Sequence, residues 1–470
     1  MRWHLLKTFD KIYVLDLHGS SKKKETAPDG SPDVNVFDIM PGVAIIIAIK
    51  VAPTNINQDS AASNGMADLF HQDLFGKRAD KYEYLQTHSY SETTYKHIKP
   101  SDPMYFFVPR NTVLEASYNV GFSIKALFKE NTLGFQTHRD HFAICHDRQE
   151  IVNKLADFMN SQLSDEYLQT KYKIKDNRDW KIFEQRKRLQ GNPNWEERVT
   201  KCTYRPFDER FCHLDYTTMD YPRTEIVTNV FNKDNLVLLC SRQQATAGFA
   251  HALVTKLPAN DCVVSTKSRE ANQVFPLYVH PPNGSLDTLR RVNFDPKIFR
   301  KIRRAAEHAE YGEPGEVDVF DYIYGVLHCP NYREKYKEFL KYDFPHIPYP
   351  PSPDVFWNLS KKGGQLRRLH LMDADAIGES SFLFKGNGDS IVTKPEIDET
   401  GNVWINESQY FENVPIIAWE FFIGSFQPAQ KWLKDRKGRS ISFEDITHYQ
   451  RIIKILAETD RIMRTIEFPL

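Results

Sequence analysis

Residues 138–147, HRDHFAICHD, gather three histidines, a cysteine and two aspartates. These side chains ligate zinc, but their spacing matches no standard ligand set, so the sequence predicts no metal site here. Arg139 beside Asp140 reads either as a structural ion pair or as a cation facing a phosphate. YRPFDERF (204–211) sets Arg205 and Arg210 among aromatics. That pairing builds nucleic-acid surfaces, and it equally describes arginines packed in a turn. Further on, Lys297, Arg300, Lys301 and Arg304 recur at spacings of three and four. On a helix this places them on one face, with Ile298, Ile302 and Ala305 on another. Such a basic face tracks a DNA backbone or simply solvates its helix. Lys22, Lys23 and Lys24 form a fourth basic group, in a polar loop where they either meet phosphates or remain a solvated surface.

Two absences bound the chemistry. A methyltransferase needs a glycine-rich turn of the FxGxG type to bring backbone close to S-adenosylmethionine. The only GNG, at 386–388, sits in KGNGDS with no leading strand. An amino-methyltransferase also needs an [ND]PP[YF] tetrapeptide to hold an extruded base. The proline pairs in VHPPNG and PYPPSP do not supply it. No catalytic residue and no cofactor-binding residue is therefore expected in this chain.

The elements that position these groups are legible in outline. KIYVLDL (11–17) reads as a strand, Gly19 breaks it, and the loop from Ser20 to Asn35 follows. In open α/β sheets ligands sit at the carboxyl ends of strands, which puts this loop on the ligand-facing side. VAIIIAI (43–49) is almost purely aliphatic and calls for cover on both faces. DLFGKRADKYEYL (73–85) reads as a turn and a helix start, and 150–169 as helical. From about Tyr105 short strands and charged helices alternate. NLVLLCSRQ (235–243) and QVFPLYV (273–279) read as strands. Residues 294–312 read as a helix capped by Asp295, with Pro296 in its first turn and Gly312 at its end. Residues 319–345 read as two helices around Cys329 and Pro330, and the chain ends in a long amphipathic helix. There is no internal repeat at a fixed period.

Composition narrows the classes. Of 470 residues, 41% are hydrophobic and 26% charged, the pattern of a globular protein. The formal net charge is zero, so nucleic-acid binding requires local basic patches rather than a global field. Six cysteines without paired spacing read as separate thiols in a reducing cytoplasm. No apolar run approaches the ~18 residues of a membrane span, and no signal-peptide pattern opens the chain.

The order LDLHG, KKKE, PDGS, NVFDI, GVAI resembles the segment that follows the catalytic tetrapeptide in type ISP restriction–modification enzymes, large single-chain bacterial proteins. DLFGKRADKYEYL, LGFQTHRD, YRPFDER, FPLYV, VFDYIYGVLHCPNYREKYKEFLKYDFP and IGSFQPAQKWLKDRKGRSIS resemble blocks of the same family, in its order. The resemblance implies that residues 1–104 are the rear of an N6-adenine DNA methyltransferase domain, an α/β fragment of its sheet. It implies that 105–470 form a mixed α+β target-recognition (specificity) domain. The implied function is sequence-specific recognition of double-stranded DNA that directs adenine methylation and restriction. Phosphate contacts would come from Lys22, Lys23, Lys24, Arg139, Arg205, Arg210, Arg300, Lys301 and Arg304. S-adenosylmethionine, ATP and Mg belong to the complete enzyme, whose nuclease, translocase and catalytic blocks this chain lacks. Alternatives are the second half of a split methyltransferase completed by an upstream polypeptide, a non-functional fragment, or an interaction module that binds no DNA. On the first alternative, VAIIIAI presents an open apolar edge whose sheet neighbours lie in that polypeptide.

Overall fold

The computed structural model describes residues 1–469 except 22–24, 52–64, 103, 245–247, 282, 283 and 287. Lys22, Lys23 and Lys24 thus lie outside the described residues. The chain divides into two compact units, Met1–Glu115 and Ala116–Leu470. No helix among the described residues is long and apolar enough to cross a membrane.

The first unit holds α1 (Arg2–Thr8), β1 (Lys11–His18), β2 (Val43–Ile49), β3 (Asp68–Asp73), α2 (Arg78–Thr87) and β4 (Lys96–Ile98). Its sheet runs β2-β1-β3-β4, with β1 parallel to β3 and antiparallel to β2, and β4 antiparallel to β3. β1 is buried on both faces. Ile12 and Val14 pack with Leu6, Leu69 and Phe107 on one side, and Leu15 and Leu17 with Val36, Tyr84 and Leu85 on the other. β2 is different. Among the described residues it pairs only with β1, and Ile45 and Ile46 are 38% and 53% exposed. The cover that its composition calls for is not met by the described residues of this unit.

The second unit is a mixture of small sheets and helices. β5 (Thr132–Leu133), β9 (Val237–Ser241), β10 (Ala252–Thr255) and β11 (Asn272–Pro276) form a sheet in the order β10-β9-β11-β5. β6 (Ile144–Cys145), β7 (Val199–Arg205) and β8 (Asp208–His213) form another in the order β6-β8-β7. Val237 to Cys240 are buried throughout, as a central strand of this composition requires. The region 150–169 forms two helices, α3 (Arg148–Met159) and a second at Asp165–Tyr172 whose N-terminus Ser164 caps.

Four further helices matter below: α4 (Pro296–Ala306) after the Asp165–Tyr172 helix, then α5 (Glu316–Leu327), α6 (Pro353–His370) and, at the C-terminus, α7 (Phe443–Met463). α5 and α6 meet backbone to backbone. A Cβ on Gly363 would lie 1.8 Å from the Asp321 carbonyl oxygen, and one on Gly325 would lie 2.5 Å from that of Leu359. Arg367 of α6 clamps Asp321 of α5 through two hydrogen bonds of 2.6 and 2.9 Å. α7 starts with a reciprocal capping box between Ser442 and Asp445. α4 begins as its sequence predicts, with Asp295 accepting from the amides of Lys297 and Ile298 and Pro296 in the first turn. It ends at Ala306, not at Gly312. Gly312 instead closes a turn with His308 through reciprocal backbone hydrogen bonds.

Candidate functional site

The exposed basic face of α4 follows from its local sequence. Ile302 and Ala306 are fully buried and fix which side faces inward. Lys297, Arg300, Lys301 and Arg304, spaced three and four residues from one another, are left outward and exposed. Lys301 lies over the Tyr349 ring, 3.7 Å from its centroid. Arg303, on the flank, is occupied by Glu313 at 2.6 Å and the Pro314 carbonyl. Among the described residues no carboxylate lies within ion-pair distance of Lys297, Arg300, Lys301 or Arg304. Like charges at these spacings destabilise a helix by about 0.2–0.5 kcal/mol per pair, a cost that an opposing polyanion removes. The face is held rigid at its start, because Asn293 bridges to Glu130 and to the Pro276 carbonyl.

Arg139, Arg205 and Arg210 come together, but in a different setting. They are 4%, 5% and 9% exposed. Arg139 donates to Asp220 at 2.7 Å and stacks on Trp180 with its guanidinium carbon 4.0 Å from the ring centroid. Arg205 donates to Asn260 at 3.1 Å, lies 3.6 Å from Asp140 and stacks on Tyr204. Arg210 also stacks on Tyr204, 4.2 Å from the ring centroid, and donates twice to Asp208, at 2.9 and 2.7 Å. Asp208 also accepts from Arg436 at 3.0 Å. Burial alone would push the Asp208 carboxyl up, but Arg210 and Arg436 outweigh it and hold the group below its usual value. The three guanidinium groups are thus committed to internal carboxylates, and Arg139 pairs with Asp220 rather than with its neighbour Asp140, which lies near Arg205 instead.

Arg139 and Arg210 line a concavity of about 650 Å³ together with Gln136, His138, Asp140, Tyr204 and Asp261. Gln136 donates to Asp261 at 2.7 Å and accepts from Arg223 at 3.1 Å. Burial raises the Asp261 carboxyl, against the pull of Gln136. The histidines and cysteine of 138–147 do not converge. His138 pairs with Asp220, His141 bonds to the Tyr172 carbonyl at 2.9 Å, and burial pushes the Cys145 thiol up to about 12. Burial and the nearby Arg210, Arg439 and Arg436 hold His146 down at about 4.

Sequence reasoning missed Asp208, Asp220, Trp180 and Arg436. Asp208 had a signal, since it stands two residues from Arg210 in FDER. The others are 41 to 228 positions from their partners, and no local pattern marks them.

Across known proteins, the model of the Type ISP C-terminal specificity domain matches residues 126–465. The structure is similar to that of DrdV in its DNA complex, with TM-score 0.69 and 20% identity over 100% of this chain. It is similar to LlaBIII, an ATP-dependent Type ISP restriction–modification enzyme bound to DNA, with TM-score 0.69 and 20% identity over 100% of this chain. It is also similar to a nuclease-deletion mutant of the Type ISP enzyme LlaGI with a DNA substrate mimic, with TM-score 0.65 and 17% identity over 99% of this chain. The chain covers 48%, 32% and 37% of those three chains. No curated protein matches it.

Proposed function

Because the chain belongs to the family of Type ISP C-terminal specificity domains, we propose that it recognises a specific sequence in double-stranded DNA and supplies the address for adenine-N6 methylation and restriction. The observation that carries this reading is the basic face of α4, four outward cations without a carboxylate partner among the described residues, on a chain whose match to that family spans residues 126–465. Arg300, Lys301 and Arg304 make phosphate contacts, which fix register without reading sequence. Arg139, Arg205 and Arg210 act one step back, by holding the loops around the 138–141 concavity. Lys22, Lys23 and Lys24 add phosphate contacts from the first unit. Residues 1–104 are the rear of a methyltransferase sheet, and 105–470 are the target-recognition domain. The test is selection from a random duplex pool. Enrichment of one consensus supports the reading, and equal retention of all sequences contradicts it.

S-adenosylmethionine does not fit the residues at the carboxyl ends of β1 and β3. Gly19 is backed by Asn35, whose Cα would lie 2.3 Å from an added Cβ. The His18 ring is stacked on Phe75 and held between Glu25 and Asp73. No methyl-transfer step is assigned to the chain. The edge of β2, unpaired among the described residues, favours a second reading, in which a separate upstream polypeptide completes the methyltransferase and brings its cofactors, including ATP and Mg. Co-purification with that polypeptide, lost on changing Ile46 to Lys, would support it.

A further inference from the structure

We propose that Asp16, His18, His71 and Asp73 form a binding site for a divalent transition-metal cation, at the carboxyl ends of β1 and β3. The site stands apart from the basic helix and does not depend on the DNA reading.

The register brings these residues together. Asp16 of β1 pairs with Asp73 of β3, and His71 shares a face of β3 with Asp73 because they are two residues apart. Asp16, His18 and Asp73 each offer a ligand atom within 4.8 Å of the others. His18 Nε2 lies 2.9 Å from Asp73 Oδ1, and His71 Nε2 lies 3.8 Å from the same oxygen. Two atoms bound about 2.1 Å from one cation lie roughly 3–4 Å apart, so each imidazole is spaced to share an ion with Asp73.

His71 carries the argument beyond a cluster of acids. It is 1% exposed, and neither ring nitrogen has a hydrogen-bond partner. A buried imidazole without a partner forfeits on the order of 1–3 kcal/mol per polar group. A cation ligated by Nε2 would recover part of that cost. His18 is arranged as a ligand with its supporting shell in place. Glu25 lies 3.1 Å from Nδ1, where it would hold the ring proton and turn the Nε2 lone pair toward Asp73. Stacking on Phe75 at 3.9 Å fixes the ring plane. Charge favours a cation too. Asp16, Asp73 and Glu25 bring three carboxylates, and among the described residues no lysine or arginine lies within ion-pair distance of any of them. Two imidazoles with two carboxylates suit Zn²⁺, Co²⁺ or Mn²⁺ rather than Ca²⁺ or Mg²⁺.

The experiment titrates the full chain with Zn²⁺ by calorimetry, and with Co²⁺ while recording its visible absorption. The expected result is saturable binding that H18Q, H71Q and D73N each weaken at least tenfold. E25Q, at a partly exposed loop residue that keeps the strands intact, should weaken it about tenfold or more. H97Q, on β4 away from the site, should leave affinity unchanged. Circular dichroism confirms that each variant is folded. Absence of saturable Zn²⁺ and Co²⁺ binding up to 100 µM would overturn the proposal. So would wild-type affinity in folded E25Q and in either H71Q or D73N.

Discussion

Lys81 Nζ lies 2.7 Å from Asp33 Oδ1, and both side chains are fully buried. The ammonium also donates to the carbonyls of Leu17 and Val34, at 2.7 and 2.9 Å. The carboxylate accepts from the amides of Gly19 and Gly76. One ion pair therefore ties α2 to the end of β1 and to the loop that precedes β2. Breaking a buried pair leaves an uncompensated charge, at a cost of about 3–5 kcal/mol. K81M should lose this much in the first unit. Hydrogen exchange localised to residues 1–115 checks it, and unchanged protection there would contradict it.

The crossing of α5 and α6 leaves no room at Gly363, where the Asp321 carbonyl would lie 1.8 Å from an added Cβ. G363A must push the helices apart and with them the Arg367–Asp321 clamp. The expected loss is about 2–4 kcal/mol, at or beyond the upper range for overpacking. The midpoint of urea unfolding measures it.

His370 is buried between the Tyr324 hydroxyl and Thr459, and burial together with Arg333 holds it down at about 3. Its folded value lies below the ordinary value near 6.5, so only the unfolded chain takes up this proton between those limits. Stability should fall as pH drops from about 6.5 toward 3, by up to roughly 1.4 kcal/mol per pH unit for this group. H370Q should be less stable at pH 7 and show a shallower loss over the same window. An identical pH slope in the variant would contradict this.

Several parts of this architecture were legible in the residues. α4 could be read because its start signals are local: Asp295, Pro296 and the apolar spacing lie within one turn of each other. Its end was not, because Gly312 marks a turn of its own beyond a cap at Glu307. The basic face could be read for the same reason, as four residues on one short helix. The setting of Arg139 could not, since its carboxylate is 81 residues away and its stacking partner, Trp180, is 41 away. Residue types alone cannot distinguish an arginine facing phosphate from one facing a distant aspartate. β2 shows a third limit: aliphatic composition states a demand for cover, whereas the position of a strand in the sheet decides whether it is met.

The most direct test of the central claim is a salt titration of duplex affinity, comparing the wild-type chain with R300A/K301A/R304A. Each neutralised phosphate contributes about 0.9 to the slope of log affinity against log salt. If the α4 face lies on the DNA backbone, the triple variant should bind all duplexes more weakly, with a slope shallower by about 2–3. An unchanged slope and affinity would show that the face only solvates its helix and would contradict the account.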